Sequence, residues 1–520
     1  MRPIDFFDRG ARIHPERPFV IDENGMATSH ADAQALSHRT VLAMLAAGYQ
    51  RGQHAAIYSP NHPRAFAALL GIFRAGGAWV PINARSAIDE IAFILDHNDA
   101  RFLFYHSQFA ADVEIIRARC PKILTFVCLD RDDPGAVFFD TFTAPFTGTA
   151  PVFPDHPDDV CGVFSSGGTT GQPKGIVWTN RVLETMIAAL AVHIGPKPGK
   201  PPVHLCVAPM THAAGVIAFS LMGFGATQVI MDGVKLPDLM ENIQQHGVTH
   251  LFLPPTAIYV MLAHPSVRNF DYASLDHFVY AAAPMSVDKL REAIDVFGPV
   301  MTQTFGQAEA PMICTCLSPQ AHLDAIQNDN LHRLTSCGRP ALLTPVEIMD
   351  DSDNVLPAGE SGEIVVRGGL VMKEYYKNPQ ATREITTKNG WHRTGDIGLK
   401  DKDGYVYIVD RKKDMIISGG FNIFPSEIEQ VIWSHPSVQD CAVIGIPDEK
   451  WGEAVTAVVE TKPDAAVTED ELITLCKVKL GSVKAPKSVL FWDELPRSAV
   501  GKVRKKDIRD PFWQGRERAV

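Results

Sequence analysis

One stretch constrains this chain more than any other: Ser165-Ser166-Gly167-Gly168-Thr169-Thr170-Gly171-Gln172-Pro173-Lys174-Gly175. It is too rich in glycine and hydroxyls to read as a helix or a strand. Apolar runs flank it, Val163-Phe164 before and Ile176-Val177-Trp178 after, so it reads as a loop between two strands. Glycines let the backbone take φ > 0 and bring several N–H groups close to an anion. Ser and Thr hydroxyls can bond phosphate oxygens or a metal-bound water, and Lys174 adds a mobile positive charge. That chemistry suits a polyphosphate. A surface turn can share the composition, but Thr169-Thr170 followed by Pro173-Lys174-Gly175 favours phosphate. The loop is not the common GxxxxGK[ST] type, because Lys174 follows Pro and precedes Gly, a poor helix start.

At 520 residues the chain exceeds what one core holds, so two or more domains are expected. The net charge of -11 argues against a nucleic-acid partner. From Arg411 onward 17 Lys and Arg balance 17 Asp and Glu, so the whole excess lies in the first part. A neutral C-terminal segment on an acidic body suggests a separate unit. Nine cysteines are scattered without ligand spacing and fit buried free thiols in a reducing, cytoplasmic setting. The N-terminus lacks the apolar core of a signal peptide. No uninterrupted apolar run reaches about 18 residues, so no membrane span is expected.

Along the chain, helices alternate with short apolar strands. Ser29 to Gly48 and Ala65 to Ala75 read as helices; His54 to Tyr58, Ala78 to Asn83, Ala100 to Tyr105 and Lys122 to Leu129 read as strands. This order implies parallel sheets with helices on their faces. Arg181 to Ile194 continues as helix, with strands at Leu205 to Ala208, Thr249 to Leu253 and Phe278 to Tyr280. Between Glu363 and Lys413 the texture becomes that of a small antiparallel β-unit. The remainder reads helix, strand, strand, helix, strand, a compact α+β domain. The expected fold is α/β: a large N-terminal domain, residues 1–410, and a small, mobile C-terminal domain, residues 411–520. The boundary falls at the charged run Asp410-Arg411-Lys412-Lys413-Asp414, which is expected to be solvated.

Several further segments carry chemistry. In Gln303-Thr304-Phe305-Gly306-Gln307-Ala308-Glu309 an aromatic beside glycine can stack on a purine, and a carboxylate four residues later can hold Mg²⁺. Asp396, after Thr394-Gly395, places a carboxylate on a turn. Pro425-Ser426-Glu427 starts a helix well, after Gly419-Gly420-Phe421. Lys502 follows Gly501 on an exposed basic segment. Each also has a plainer reading alone: a strand end, a β-turn, a helix cap, a basic tail.

Taken together and in this order, the segments resemble the adenylate-forming superfamily: acyl-CoA synthetases, peptide-synthetase adenylation domains and luciferases. Ser166 to Gly175 matches the superfamily's phosphate loop, with Gly167 where Ser is more frequent. Phe305-Gly306-Gln307-Ala308-Glu309 resembles its Tyr/Phe-Gly-x-Thr-Glu motif, with Ala308 in place of Thr. Thr394-Gly395-Asp396, Asp410-Arg411, Gly419 to Glu429 and Pro496 to Lys505 match further motifs, so the resemblance spans the chain from Ser165 to Lys505.

The resemblance implies an AMP-forming carboxylic acid:CoA ligase using ATP, CoA and Mg²⁺. It implies that Ser165, Ser166, Gly167, Gly168, Thr169, Thr170, Gly171 and Lys174 bind the nucleotide, together with Ala282, Ala283, Gln303, Thr304, Phe305, Gly306, Gln307 and Ala308. Asp396 and Arg411 would hold the ribose, and Ser166 and Glu309 the metal. Lys502, Thr170 and Glu309 would be catalytic. His212, Ala213, Gly215, Ala283 and Gly306 would border the acyl pocket. Gly419, Gly420, Phe421 and Trp451 would line the CoA tunnel, and Lys413 would be the pivot between the domains. The missing Thr at 308 removes one phosphate contact, which Gln307 or Thr304 could supply. Gly306 and the small residues opposite suit an apolar fatty or aromatic acid. A carrier protein as acceptor, a luciferase-like oxygenase and a non-catalytic nucleotide-binding module stay open, as does a homodimer.

Overall fold

The computed structural model describes residues 1–165, 173–210, 213–463, 465–497 and 503–514, without the side chains of residues 213, 214 and 422. Ser166, Gly167, Gly168, Thr169, Thr170, Gly171, His212 and Lys502, all named above as site residues, lie outside the described residues.

Local signals start the elements. The Ser29 hydroxyl accepts from the Asp32 amide at 3.0 Å and caps the helix His30–Ala46. Proline occupies the first turn of Pro63–Arg74, Pro319–Gln327 and Pro425–Trp433, where its missing N–H costs nothing. Thr468 and Glu471 form a reciprocal capping box at the start of Glu469–Lys484. Five successive buried residues make His54–Tyr58 a central strand covered on both faces.

The chain divides into two units, one of the described residues of 1–346 and 366–392, the other of those of 347–365 and 393–520. The first unit holds two sheets. A seven-stranded sheet runs Val137–Phe138, Thr125–Cys128, Ala100–Tyr105, His54–Tyr58, Ala78–Pro81, Val160–Ser165, Gly175–Thr179. All its neighbours are parallel except the last pair, which is antiparallel. A nine-stranded sheet has Val203–Cys206, Thr227–Ile230, His250–Phe252, His277–Tyr280 and Met301–Gln307 as its parallel centre. Antiparallel strands close both its edges: Ala310–Leu317 and Arg339–Pro340 at one, Ala27–Ser29 at the other. The expected parallel centres are therefore present. The antiparallel edges were not foreseen.

Burial of large side chains such as Phe278, Leu251, Leu103 and Tyr105 fills the two sheet cores. Each fully buried aliphatic or aromatic side chain of this size stabilises by about 1.5–3 kcal/mol. Asn61 joins the two sheets at a polar point. Its Nδ2 donates to the Met231 and Ala208 carbonyls at 2.9 and 3.0 Å, and its Oδ1 accepts from the Met210 amide at 2.7 Å.

In the second unit a four-stranded sheet runs Val346–Met349, Ser361–Val366, His392–Lys400, Val406–Arg411. A five-stranded sheet is built on the long antiparallel pair Val438–Asp448 and Gly452–Thr461, with Ser488–Phe491 parallel at one side. The helices Pro425–Trp433 and Glu469–Lys484 pack on it through Ile428, Ile432, Leu472 and Cys476. The charged run at 410–414 departs from expectation at one residue. Asp410 is buried, because its Oδ2 accepts from the Ser426 amide at 2.8 Å at the start of Pro425–Trp433, where a helix favours negative charge. All nine cysteines are buried and free. Among the described residues no helix is long and apolar enough to cross a membrane.

Candidate active site

The strands Val160–Ser165 and Gly175–Thr179 pair with Ser165 opposite Gly175, so these two residues close the base of the glycine-rich loop. The Ser165 Oγ is buried with no hydrogen-bond partner among the described residues. An unmet buried hydroxyl costs about 1–3 kcal/mol, and a ligand oxygen would remove that cost. Beside the loop Phe164 stacks on Trp178 with ring centroids 3.7 Å apart. The Trp178 Nε1 donates to the Ala308 carbonyl at 2.7 Å, tying this strand to the segment that carries Glu309.

That segment is a tight hairpin. Gln307 pairs with Ala310, which leaves Ala308 and Glu309 as a two-residue turn between Met301–Gln307 and Ala310–Leu317. The register shifts between Phe305 and Gln307. Gly306 sits at the shift, and a Cβ there would lie 2.5 Å from the Met312 nitrogen, so no larger residue fits. Met312 itself takes φ 61°, a left-handed value that costs a side-chain-bearing residue about 1–3 kcal/mol. Thr304 is buried with its hydroxyl unpartnered among the described residues.

Glu309 is held at two points by a segment that sequence reasoning passed over. Its carbonyl accepts from the Met372 amide and its Oε1 from the Tyr375 hydroxyl, both at 2.7 Å. The other carboxylate oxygen has no hydrogen bond among the described residues. A hard divalent cation takes oxygen ligands of this kind, so the residues present fit Mg²⁺. Burial, and then the Glu309 charge, push the Tyr375 phenol well above its usual range, so it stays a donor. The Lys174 ammonium sits 4.7 Å from the centroid of the same ring. Backbone bonds lay residues 373–376 along the strand after the loop: Lys373 N to Val177 O at 2.9 Å, Val177 N to Glu374 O at 3.0 Å, and Tyr376 N to Gly175 O at 2.7 Å.

Ala282 follows the strand His277–Tyr280 with φ 77°, exposed and strained. Ala283 is half-buried beside it. Strain at the carboxyl end of a parallel strand is where ligands are bound in such sheets. Gln303 accepts from the buried Tyr280 hydroxyl at 3.2 Å, so its side chain is engaged in the sheet. Ala213 begins the helix Ala213–Met222. At Gly215 a Cβ would come 1.7 Å from the Met210 carbonyl, which fixes glycine there.

The second unit brings Asp396 and Arg411 together. They face each other across adjacent antiparallel strands, with Nε 2.7 Å from Oδ1, and Asp396 is buried. Lys413 lies exposed in the short turn Lys412–Asp414, where partial desolvation by its surroundings draws its pKa below the usual lysine range. The Gly419 amide donates to the Trp451 carbonyl at 2.7 Å, and Lys450 and Lys487 lie 4.7 and 5.7 Å from the Trp451 ring. Gly420 follows Gly419, and Phe421 stands exposed at the head of Phe421–Ile423.

The residues either side of the Lys502 segment are firmly anchored. Arg497 pairs with Val503 as a β-bridge, and its guanidinium meets Asp440 at 2.7 Å and Glu460 at 3.0 Å. Lys505 meets the buried Glu429 at 2.7 Å. Desolvation opposes the Lys505 charge, but Glu429 and Asp410 outweigh it, and its pKa lies above the lysine range.

Sequence reading passed over Tyr375 and Asn61, and named Glu429 and Lys505 only as the ends of matched segments. The only signal for the first was an aromatic pair, Tyr375-Tyr376, ahead of the helix start Asn378-Pro379.

Comparison with known proteins adds to this geometry. The family model "AMP-binding enzyme" matches residues 7–376, and "AMP-binding enzyme C-terminal domain" matches residues 427–502. A protein of Mycobacterium tuberculosis named "Medium/long-chain-fatty-acid--CoA ligase FadD8" is 39% identical over 371 residues, a match spanning 70% of this chain and 63% of that protein. The "Feruloyl-CoA synthase" of Amycolatopsis sp is 32% identical over 97% of this chain and 98% of its own. Among solved structures, the amide bond synthetase McbA from Marinactinospora thermotolerans superposes with a TM-score of 0.88 at 27% identity, covering 98% of this chain and all of the other. With both family models matched in order along the chain, it belongs to the AMP-binding enzymes, the adenylate-forming superfamily.

Proposed function

We propose that the protein is an AMP-forming carboxylic acid:CoA ligase acting on a fatty or aromatic acid. In the first step an oxygen of the substrate carboxylate attacks the α-phosphorus of ATP. A carboxylate-to-phosphorus bond forms, the bond to the β-phosphate oxygen breaks, and pyrophosphate leaves. In the second step the CoA thiolate attacks the activated carbonyl, forming the thioester and releasing AMP.

The observation that supports this best is the junction of Lys174, Tyr375 and Glu309. A cation from the glycine- and threonine-rich loop and a carboxylate from the Phe305–Glu309 hairpin meet one tyrosine. Opposite charges gathered at the end of such a loop suit a phosphate chain and its counter-ion. Glu309 and the loop residue Ser166 would hold Mg²⁺, which offsets phosphate charge when bound. Phe305, Ala282 and Ala283 would lie along the adenine, and Asp396 and Arg411 would hold the ribose. Lys502 would bridge the attacking carboxylate and the α-phosphate. Gly419, Gly420, Phe421 and Trp451 would guide the pantetheine arm, with Lys413 as the pivot between steps.

The acid class follows from the small residues Ala213, Gly215, Ala283 and Gly306 and from the names of the relatives, one acting on fatty acids and one forming feruloyl-CoA. Pyrophosphate release from ATP across fatty, aryl and short carboxylic acids, each with and without CoA, tests the reading. CoA-dependent turnover with a fatty or aryl acid is the expected result. Release that ignores CoA would overturn the choice of acceptor, and release with none of these acids would overturn the ligase reading.

A further inference from the structure

The segment at residues 372–377 is a strap that ties the loop's exit strand to the Glu309 hairpin. On one side its backbone pairs with Gly175 and Val177. On the other, Met372 and Tyr375 both bond Glu309. The next two residues pin it to the seven-stranded sheet: the Tyr376 hydroxyl donates to Asp99 at 2.7 Å and Lys377 meets the same carboxylate at 2.6 Å. The Tyr375 amide is also used, donating to the Thr382 Oγ1 at 2.9 Å. Tyr375 thus has little freedom to move, while its side chain touches the two charged groups assigned to the nucleotide.

We propose that Tyr375 is a two-ended positioning residue for ATP binding: its hydroxyl holds one oxygen of Glu309 so that the other faces the nucleotide's cation, and its ring seats the Lys174 ammonium beside the phosphates. This rests on the reading of Glu309 as the cation ligand. A carboxylate free to rotate loses entropy on binding a metal, and one already fixed at Oε1 does not. A tyrosine suits both tasks, because its ring face attracts a cation while its hydroxyl donates to an anion.

The test uses the full-length protein, without acid or CoA, and a non-hydrolysable α,β-methylene analogue of ATP. Calorimetry measures the affinity for the analogue as Mg²⁺ is varied, and thermal melts report stability. Tyr375→Phe keeps the ring and removes the hydroxyl. It should raise the Mg²⁺ concentration giving half of the metal-dependent gain in affinity by about tenfold, the cost of one hydrogen bond to a charged group. Affinity without Mg²⁺ should stay within about twofold. Tyr375→Leu removes both ends and should weaken Mg²⁺-free binding as well. Glu309→Gln is the control, and adding Tyr375→Phe to it should produce no further rise, since the two act as one unit.

If Glu309→Gln shifts the Mg²⁺ requirement and Tyr375→Phe does not, the positioning role is wrong while the reading of Glu309 stands. If neither shifts it, the reading of Glu309 fails and the inference fails with it. A Tyr375→Phe variant that loses affinity equally with and without Mg²⁺, alongside a lowered melting temperature, would mark Tyr375 as a structural prop and overturn the proposal.

Discussion

Asp396 and Arg411 stand directly opposite each other on adjacent antiparallel strands, 2.7 Å apart from Oδ1 to Nε. The carboxylate is buried and the guanidinium is nearly half exposed, at 4% and 45%. Because the carboxylate is buried, removing the guanidinium would leave a buried charge without its ion-pair partner, which costs stability as well as any ligand contact. Arg411→Ala should lower the urea midpoint and also weaken AMP binding by about tenfold, the loss of a charge-assisted hydrogen bond. Asp396→Asn should weaken it further. Calorimetry with AMP reads both. Equal AMP affinity in all three proteins would remove the pair from the ribose site.

Lys505 and Glu429 form a second, more enclosed pair. Both are largely enclosed, and removing one partner of a buried pair leaves an uncompensated charge, at a cost of about 3–5 kcal/mol. Lys505→Ala should therefore lower the urea midpoint strongly, and Lys505→Arg should recover part of the loss. An alanine variant as stable as the parent would show that the pair contributes nothing to the second unit.

A row of polar side chains crosses the nine-stranded sheet, buried at Gln228, His204 and His250 and half-buried at His277. Gln228, His204, His250 and His277 are aligned in register, and His204 bonds Gln228 at 2.8 Å. Burial lowers the three histidine pKa values to about 4, 3 and 4 in chain order. The His250 bond to the Ile194 carbonyl and the Asp276 charge beside His277 work the other way but do not prevail. The unfolded chain, with histidines near 6.5, binds these protons first. Stability is then fully present above pH 6.5 and falls as the pH drops toward 4, at about 1.4 kcal/mol per pH unit for each histidine. Urea unfolding at successive pH values measures the slope, and His204→Gln should flatten it. An unchanged slope in that variant would mean His204 takes up no proton on unfolding.

Ala308 replaces a Thr expected at the α-phosphate, and its carbonyl is already fixed by Trp178 at 2.7 Å. The turn is therefore held from the backbone, leaving the side-chain position open to change. Ala308→Thr should lower the KM for ATP by about threefold to tenfold, the gain from one hydrogen bond. Steady-state kinetics of pyrophosphate release measures it. A rise in KM would show that the turn has no room for the hydroxyl.

What could be read from the sequence was what local pattern encodes. The Ser29 cap, the apolar run His54 to Tyr58 and the two strands either side of the glycine-rich stretch all rest on neighbours in the chain, and the structure has them in place. The antiparallel strand Ala310–Leu317 was missed because Pro311 and the left-handed Met312 interrupt its pattern. The contacts of Tyr375, Asn61 and Lys505 were missed for another reason. Their partners lie 66, 149 and 76 residues away, at Glu309, Met210 and Glu429. No spacing rule reports such pairs, because the sheets that bring them together are set by the whole core.

The central claim is that the acid's own oxygen attacks the α-phosphate of ATP before CoA takes the acyl group. A fatty or aryl acid labelled with heavy oxygen in both carboxylate positions tests this directly, with mass spectrometry of the products. AMP carrying one heavy oxygen and acyl-CoA retaining one, in equal amounts, is the expected result. Unlabelled AMP, or label in inorganic phosphate with ADP as the nucleotide product, would contradict it.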